Sequence, residues 1–143
     1  MFFSKEKLAL LLIFLFSGSV AFARELQVIY AEYPGHNIEN ADIRDIIRAN
    51  RLTWKNGQNI LLIIDDLDLI TDEEFQVAFG TSKSMFLEAW RIKFFSGRAL
   101  SPLQVKSQRK GLSYIEDNTN ALFLTFQGFN QDLAPKGIMI KSL

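Results

Sequence analysis

Residues 60–64 read ILLII, and the next two residues are Asp65 and Asp66. The run shows no alternation of apolar and polar residues, so we expect a strand that is buried on both faces. Such strands are typical of α/β domains in which helices cover both sides of a parallel sheet. Residues 60–64 therefore predict the centre of an α/β fold.

The flanking sequence alternates between strand and helix patterns. Strands are predicted at residues 26–31, 121–126 and 137–140, helices at 40–50, 72–79 and 84–95, and weaker helical segments at 103–110 and 112–116. A crossover helix between the strands at 26–31 and 60–64 predicts a right-handed βαβ unit. The predicted fold class is α/β, a single three-layer lobe with a mostly parallel sheet flanked by helices.

Local signals indicate where the helices begin and end. Thr71 and Glu74 have the spacing of a capping box, and Gly80 favours a left-handed C-cap. The first helix begins after either Glu39 or Asn40. Asn40 has the better capping side chain. Glu39 as the cap would instead place two isoleucines in a hydrophobic staple.

Aromatic side chains are expected to supply much of the core. Phe86, Trp90 and Phe94 recur on one face of the aromatic helix, a spacing typical of core packing. Trp54 is expected to cover an edge of the core. His36 is the only histidine, and we expect it to be a solvated loop side chain because no nucleophile or carboxylate set points to it.

The N-terminus has the pattern of a secretory signal peptide over residues 1–23. Lys5 and Lys7 precede an apolar run at residues 8–16, and residues 21–23 read Ala-Phe-Ala. The apolar run is shorter than the roughly 20 residues that a membrane span needs, so we expect cleavage and no stable span afterwards. An uncleaved N-terminal anchor is the alternative. The predicted domain is residues 24–143, in the periplasm.

Composition excludes several classes of function. Residues 24–143 carry 14 basic and 15 acidic residues, so the basic footprint of a nucleic-acid-binding protein is missing. The chain has no cysteine, which excludes disulfides and thiol chemistry. No catalytic residue, metal site or cofactor is predicted, because the sequence offers no set of groups that meets the requirements of a catalytic centre.

The candidate ligand site is placed at the carboxyl ends of two predicted strands, where open α/β sheets bind their ligands. The predicted ligand-binding residues are Tyr33, Gly35, His36, Asp65, Asp66, Asp68, Thr71 and Arg98. The three aspartates are the residue type that binds a metal, but they lack the later Gly and Glu of a calcium loop.

Several features in a fixed order resemble a known family. They are two isoleucines ending a helix (46–47), a basic link (48–51), Thr-Trp (53–54), Asn-Gly (56–57), the apolar strand (60–64), a Phe helix ending at Gly80, a helix with Trp90, Phe-Ser-Gly (95–97) and a turn (118–120). This order is similar to that of short exported relatives of the substrate-binding component of phosphate ABC transporters. The resemblance implies one half to most of a type 2 periplasmic binding protein and no enzymatic activity.

The resemblance breaks at the place where full-length relatives hold phosphate. Their loop of Arg, Ser, Gly and Thr offers backbone N–H groups, hydroxyls and a guanidinium to the oxyanion. Residues 65–71 of this chain read DDLDLIT, and only Thr71 keeps a hydroxyl. Each carboxylate about 4 Å from a phosphate would repel it by about 1 kcal/mol even in water. We therefore predict that the usual phosphate loop is not preserved.

Two functions remain after these exclusions. The first is a non-catalytic periplasmic binding module that holds a protein partner or an altered small ligand. The alternative is a periplasmic solute-binding component of an ABC transporter. It would bind phosphate or another oxyanion through Arg98, Lys93 or a ridge formed by Arg44 and Arg48.

Overall fold

The computed structural model describes residues 26–33, 35–129, 132 and 134–143. The predicted signal peptide, residues 1–23, lies outside the described residues. Within the described ranges, no helix is long and apolar enough to cross a membrane.

Five strands and four α-helices make up the described chain. The strands are β1 (Gln27–Ala31), β2 (Leu61–Asp65), β3 (Leu103–Val105), β4 (Ala121–Thr125) and β5 (Ile138–Ser142). The helices are α1 (Asn40–Ile47), α2 (Asp72–Phe79), α3 (Lys83–Phe95) and α4 (Gln108–Asp117), with a short 3-10 turn at Leu67–Leu69. The predicted elements are therefore present, apart from the helical segment at 103–110.

All five strands belong to one sheet in the order β3-β2-β4-β1-β5. β2 is parallel to both β3 and β4, whereas β1 is antiparallel to both β4 and β5. Four strands thus run in one direction and β1 runs in the other. The α/β class and the single helix-flanked sheet are confirmed.

The predicted βαβ unit is wrong. β4 lies between β1 and β2, and Val28 of β1 is paired with Leu124 of β4 in an antiparallel register. β1 is a central strand, between β4 and β5. Its apolar sequence indicates burial but does not indicate whether it runs parallel or antiparallel to its neighbours. The chain after α1 therefore enters the sheet beyond β4, and the carboxyl ends of β1 and β2 lie at opposite ends of the sheet.

The sheet is buried on both faces, as residues 60–64 predicted. On one face Leu62 and Ile64 pack in a cluster with side chains of α1, α2 and α3. On the other face Ile63 and Phe123 pack in a second cluster with Ile115 of α4. The molecule therefore has three layers, with three helices on one side of the sheet and α4 on the other.

The local signals at the helix ends are largely confirmed. Thr71 and Glu74 form the capping box of α2, and Gly80 ends that helix with a φ of 68°. Glu39, not Asn40, is the N-cap of α1, and Asp42 completes its capping box.

The segment at 103–110 is divided between two elements. Residues 103–105 pair with β2 as a parallel strand, which satisfies their backbone groups in the sheet. Ser107 then caps α4 by accepting a hydrogen bond from the Lys110 N–H. The weak amphipathic pattern that predicted one helix across 103–110 therefore spans the join between a strand and a helix.

Both tryptophans tie the core to backbone carbonyls. The Trp54 indole N–H donates to the Asn120 carbonyl at 2.9 Å, and that of Trp90 donates to the Ile46 carbonyl at 3.0 Å. Because a buried indole N–H without an acceptor is costly, these bonds fix the position of each ring. The core assignments of Trp54 and Trp90 are confirmed.

The packing of α4 on the sheet requires a glycine at position 111. A Cβ at Gly111 would lie 2.3 Å from a ring carbon of Phe123, which is fully buried in the sheet. We predict that Gly111→Ala lowers the free energy of unfolding by about 2 kcal/mol, because overpacking outweighs the gain of about 1 kcal/mol in helix propensity. Urea denaturation measures this change. Arg109→Ala, an exposed change on the same helix, is the control and should alter stability by less than about 0.5 kcal/mol. Equal stability of both variants would contradict the close approach.

Candidate functional site

The carboxyl end of β2 carries a buried carboxylate, Asp65, which is only 1% exposed. Its Oδ2 accepts a hydrogen bond from the Thr125 hydroxyl at 2.7 Å and one from the Phe126 N–H at 2.8 Å. Burial raises the pKa of Asp65, although these two hydrogen bonds lower it in part. Asp65 is therefore used to hold the end of β4 beside β2.

A polar network extends from Asp65 towards α4 and the loop after β4. Gln108 donates from Nε2 to the Thr125 hydroxyl at 3.0 Å and to the Gln127 carbonyl at 2.9 Å. Gln27 accepts a hydrogen bond from the Phe129 N–H at 2.7 Å. Hydrogen bonds within the chain therefore engage these donors and acceptors at the carboxyl edge of the sheet.

The second aspartate of the edge, Asp66, is also engaged. Its Oδ1 accepts from the Asp68 N–H at 3.0 Å, and its Oδ2 forms an ion pair with Lys106. Hydrogen bonding by Lys106, followed by the Asp68 N–H, lowers the pKa of Asp66. Asp68 is exposed beside it. The three aspartates therefore act as a strand anchor, a turn cap and a surface residue.

The nearby N-terminus of α2 is occupied by its own side chains. The Thr71 hydroxyl accepts from the Glu74 N–H at 3.1 Å, and the Glu74 carboxylate accepts from the Thr71 N–H at 3.0 Å. The first turn of α2 adds further acidic side chains, at residues 72 and 73. These carboxylates satisfy the helix dipole and repel an incoming anion. Within the described ranges, no group of three or more His, Asp or Glu side chains could hold a metal ion.

The predicted residues after β1 lie at the opposite end of the sheet. Tyr30 of β1 is paired with Leu122 near the start of β4, whereas Asp65 is bonded to Thr125 at the end of β4. The structure therefore does not bring Tyr33, Gly35 and His36 together with the aspartates. Arg98 lies in neither group, because it follows α3 in an exposed turn.

His36 is buried, which corrects its expected place as a solvated loop residue. It is 7% exposed, its ring stacks on Trp54 with centroids 3.9 Å apart, and Nδ1 lies 3.3 Å from the Ala31 carbonyl oxygen. Nε2 is buried without a hydrogen-bond partner in the structure. Desolvation lowers the pKa of His36, so the neutral ring is the stable form in the core. Sequence alone gave no sign of this stacking on Trp54.

The arginines proposed as an anion-binding ridge serve separate purposes. Arg48 donates to the Gly80 carbonyl at 3.2 Å, and Arg51 forms an ion pair with Asp42 at 2.8 Å. Arg44 lines a recess of about 210 Å³ between α1, α2, Leu26 and Leu143. Arg44 and Arg48 therefore both lie against α2, and Arg48 is already engaged by the Gly80 carbonyl.

The most unusual surface of the molecule is on α3. Five of its large apolar side chains are exposed: Met85, Leu87, Ile92, Phe94 and Phe95. We call this set the α3 surface. Ile92 is 57% and Phe95 is 78% exposed, and the rings of Phe94 and Phe95 contact each other with centroids 5.4 Å apart. Phe94 was predicted to be in the core, and that prediction is wrong.

A groove runs beside the α3 surface, between α3 and the segment that leads into β3. It encloses about 320 Å³. Its lining includes Phe86, Trp90, Phe94 and Pro102, with Arg91 among its polar groups. The apolar residues of α3 continue around the helix beyond the side that packs on the sheet. That excess of apolar residues was the sequence signal for an exposed surface.

Comparison with known proteins gives a fold relationship only. No protein-family model and no curated protein matches the sequence. An ABC-type phosphate transport receptor from Vibrio cholerae has a similar structure, with a TM-score of 0.54 and 16% identity over 81% of this chain and 44% of its own. The fold is that of part of a periplasmic binding protein. The resemblance seen in the sequence is therefore confirmed at the level of the fold.

A second solved structure is a phosphate-binding protein of a phosphate ABC transporter from Streptococcus pneumoniae TIGR4. It is similar over 83% of this chain and 48% of its own, with 8% identity and a TM-score of 0.41. The chain thus spans about half the length of the solved proteins that it matches.

The anchoring role of Asp65 predicts that two substitutions differ in their effect on the free energy of unfolding. Asp65→Ala leaves the Thr125 hydroxyl and the Phe126 N–H without their acceptor, so we expect a loss of about 1–3 kcal/mol in the free energy of unfolding. Asp65→Asn keeps an acceptor oxygen and removes a buried charge, so it should lose less than about 1 kcal/mol or gain stability at pH 7. Chemical denaturation at pH 7 distinguishes the two.

The pH dependence of the same pair gives an independent check. Because the pKa of Asp65 is raised in the folded state, the wild-type protein gains stability relative to Asp65→Asn as the pH falls from 7 through that folded-state pKa. If the difference in the free energy of unfolding between the wild-type protein and Asp65→Asn is the same at pH 7 and at pH 4, the burial of an ionised Asp65 is contradicted.

His36 predicts acid sensitivity in a separate pH range. Its folded-state pKa is lowered, so stability is fully present above the unfolded pKa of about 6.5 and falls as the pH drops below it. His36→Phe keeps a ring for stacking on Trp54 and cannot titrate. We expect the melting temperature of the wild-type protein to fall more than that of His36→Phe between pH 7.5 and 5.5. Parallel pH curves would show that His36 titrates as if exposed.

Proposed function

We propose that the protein is a non-catalytic periplasmic binding module whose ligand is a protein partner held on the α3 surface. The observation that carries this proposal is the exposure of five large apolar side chains on one helix beside an apolar groove. Exposed apolar surface is unfavourable in water, and large patches of it mark interaction sites.

The polar end of the sheet supports a changed ligand preference. Asp65 and Asp66 engage Thr125, Phe126 and Lys106, and the α2 N-terminus is capped by its own carboxylate. An oxyanion at this edge would meet acidic groups and few free donors. Together with the predicted loss of the phosphate loop at residues 65–71, this supports a partner on a different face over a phosphate receptor.

The signal-peptide pattern of residues 1–23 supports export to the periplasm, with residues 24–143 as the exported domain. A non-enzymatic role agrees with the similarity in fold to a transport receptor. The sequence has no cysteine, and its single histidine is buried on Trp54. The transporter solute-binding role is the alternative that the experiment below must separate.

Site-specific photo-crosslinking tests the proposed surface. A photoreactive amino acid at Leu87, which lines the groove, introduced into the full chain in its own cells, should give a discrete adduct of the size of this chain plus a partner. The adduct should be lost when Phe94 and Phe95 are both replaced by Ser, because the apolar contact is removed. These exposed changes should shift the melting temperature little.

The control carries the same photoreactive group at Arg109, on the opposite side of the sheet. Equal adducts from positions 87 and 109, or none from position 87, would refute the proposed surface. Thermal unfolding with phosphate tests the alternative directly. Binding would raise stability by about 2.7 kcal/mol at a hundredfold excess over Kd. A stabilisation of that size would indicate an oxyanion receptor.

A further inference from the structure

The α3 surface coincides with a concentration of positive charge. Residues 83–98 contain four basic side chains (Lys83, Arg91, Lys93 and Arg98) and one acidic side chain, Glu88. The remainder of residues 24–143 carries 10 basic and 14 acidic residues. Residues 83–98 are therefore a positively charged segment, as are residues 44–55, which carry four basic side chains and one acidic side chain.

Glu88 and Asp66 compensate part of this positive charge, since Asp66 attracts Lys83 electrostatically. Glu88 forms an ion pair with Arg91 at 2.7 Å across one helical turn. Both side chains are exposed, so the pair is weak and exchanges readily with another carboxylate. A guanidinium has five N–H donors, and one carboxylate cannot use all of them. Arg91 can therefore accept a second carboxylate at the groove.

The groove is large enough to hold one or two large side chains. Its volume of about 320 Å³ is at the lower end of the range of roughly 300–1,000 Å³ for small-molecule pockets. Its walls include Phe86, Trp90 and Phe94, and Arg91 contributes a cation to the same lining. Apolar walls with a neighbouring cation match a segment that carries large apolar side chains next to a carboxylate.

We propose, resting on the proposed function, that the α3 surface recognises an acidic amphipathic segment of its partner protein. Leu- or Phe-type side chains of that segment enter the groove beside Phe94. Asp or Glu side chains next to them pair with Arg91 and Arg98. Apolar contact supplies most of the affinity, and the charges select the partner.

Charge argues against a second copy of this chain as the occupant. A two-fold interface places the same patch on both subunits, so the excess of basic over acidic side chains in residues 83–98 would face an equal excess on the other copy. Like charges brought together at an interface oppose association. A lipid surface is the other occupant of matching charge. A bilayer contacts protruding side chains, however, and leaves a recess beside α3 unfilled.

Peptide display tests the proposal directly, because it selects a binding segment from random sequences. Random peptides of roughly 12 residues, about three helical turns, are selected on the immobilised full-chain protein in about 0.1 M salt. We expect enriched peptides to combine large apolar residues with at least a threefold excess of Asp and Glu over Lys and Arg. Failure to enrich any sequence, or enrichment without this acidic excess, would overturn the proposal.

Three variants test whether the selected peptides bind to the α3 surface. Arg91→Glu with Arg98→Glu should remove the acidic preference and weaken the best wild-type peptide at least tenfold. Phe94→Ser with Phe95→Ser should weaken it at least tenfold as well. Arg109→Glu, a charge change on α4, should leave binding unchanged. Retained acidic preference in the charge-reversed variant, or an equal loss in Arg109→Glu, would contradict the assignment.

Two further measurements address the other occupants. If sedimentation detects a dimer and Phe95→Ser dissociates it, self-association replaces the proposal. Flotation with vesicles containing phosphatidylglycerol, in the absence of peptide enrichment, would replace it with a lipid surface. A photo-adduct at position 87 together with non-acidic selected peptides would leave the proposed function standing and reject this inference alone. If neither the photo-adduct nor the acidic peptides are found, both the proposed function and this inference are rejected.

Discussion

Burial of β2 on both faces is the constraint on which the rest of the structure depends. Five apolar residues in a row offer no face to water, so the chain must cover both sides of the sheet. It places α1, α2 and α3 on one side and α4 on the other, and β4 and β3 on the two edges of β2. At the end of β2, Asp65 is carried into the same buried environment. The hydrogen bonds from Thr125 and Phe126 are what allow a carboxylate to remain there.

That constraint divides the chain into a well-predicted and a poorly predicted part. Residues 60–64, the capping box at Thr71 and the left-handed Gly80 were predicted correctly because each depends on local physics. The position of β1 was not, because strand burial does not specify which strand is the neighbour or its direction. The predicted site failed with it, since Tyr33 to His36 and Asp65 to Asp68 were joined only through the βαβ assumption.

His36 and Phe94 show the same limit at the level of single side chains. His36 was expected in water and lies on Trp54, while Phe94 was expected in the core and is exposed. A helical period identifies one buried face, but it does not say how far around the helix the neighbouring elements extend. On α3 the sheet covers Phe86 and Trp90, and the described part of the chain provides no further element for the next apolar positions.

The charge pattern gives the exposed helix a second physical consequence. Exposed phenylalanines on a domain whose net charge is near zero promote self-association, because little electrostatic repulsion separates the copies. The concentration of Lys and Arg in residues 83–98 supplies that repulsion where it is needed. The same charges attract a carboxylate-bearing segment. Keeping identical copies apart and selecting an acidic partner are then two effects of one arrangement, and neither requires the anion site of the receptors whose fold the chain shares.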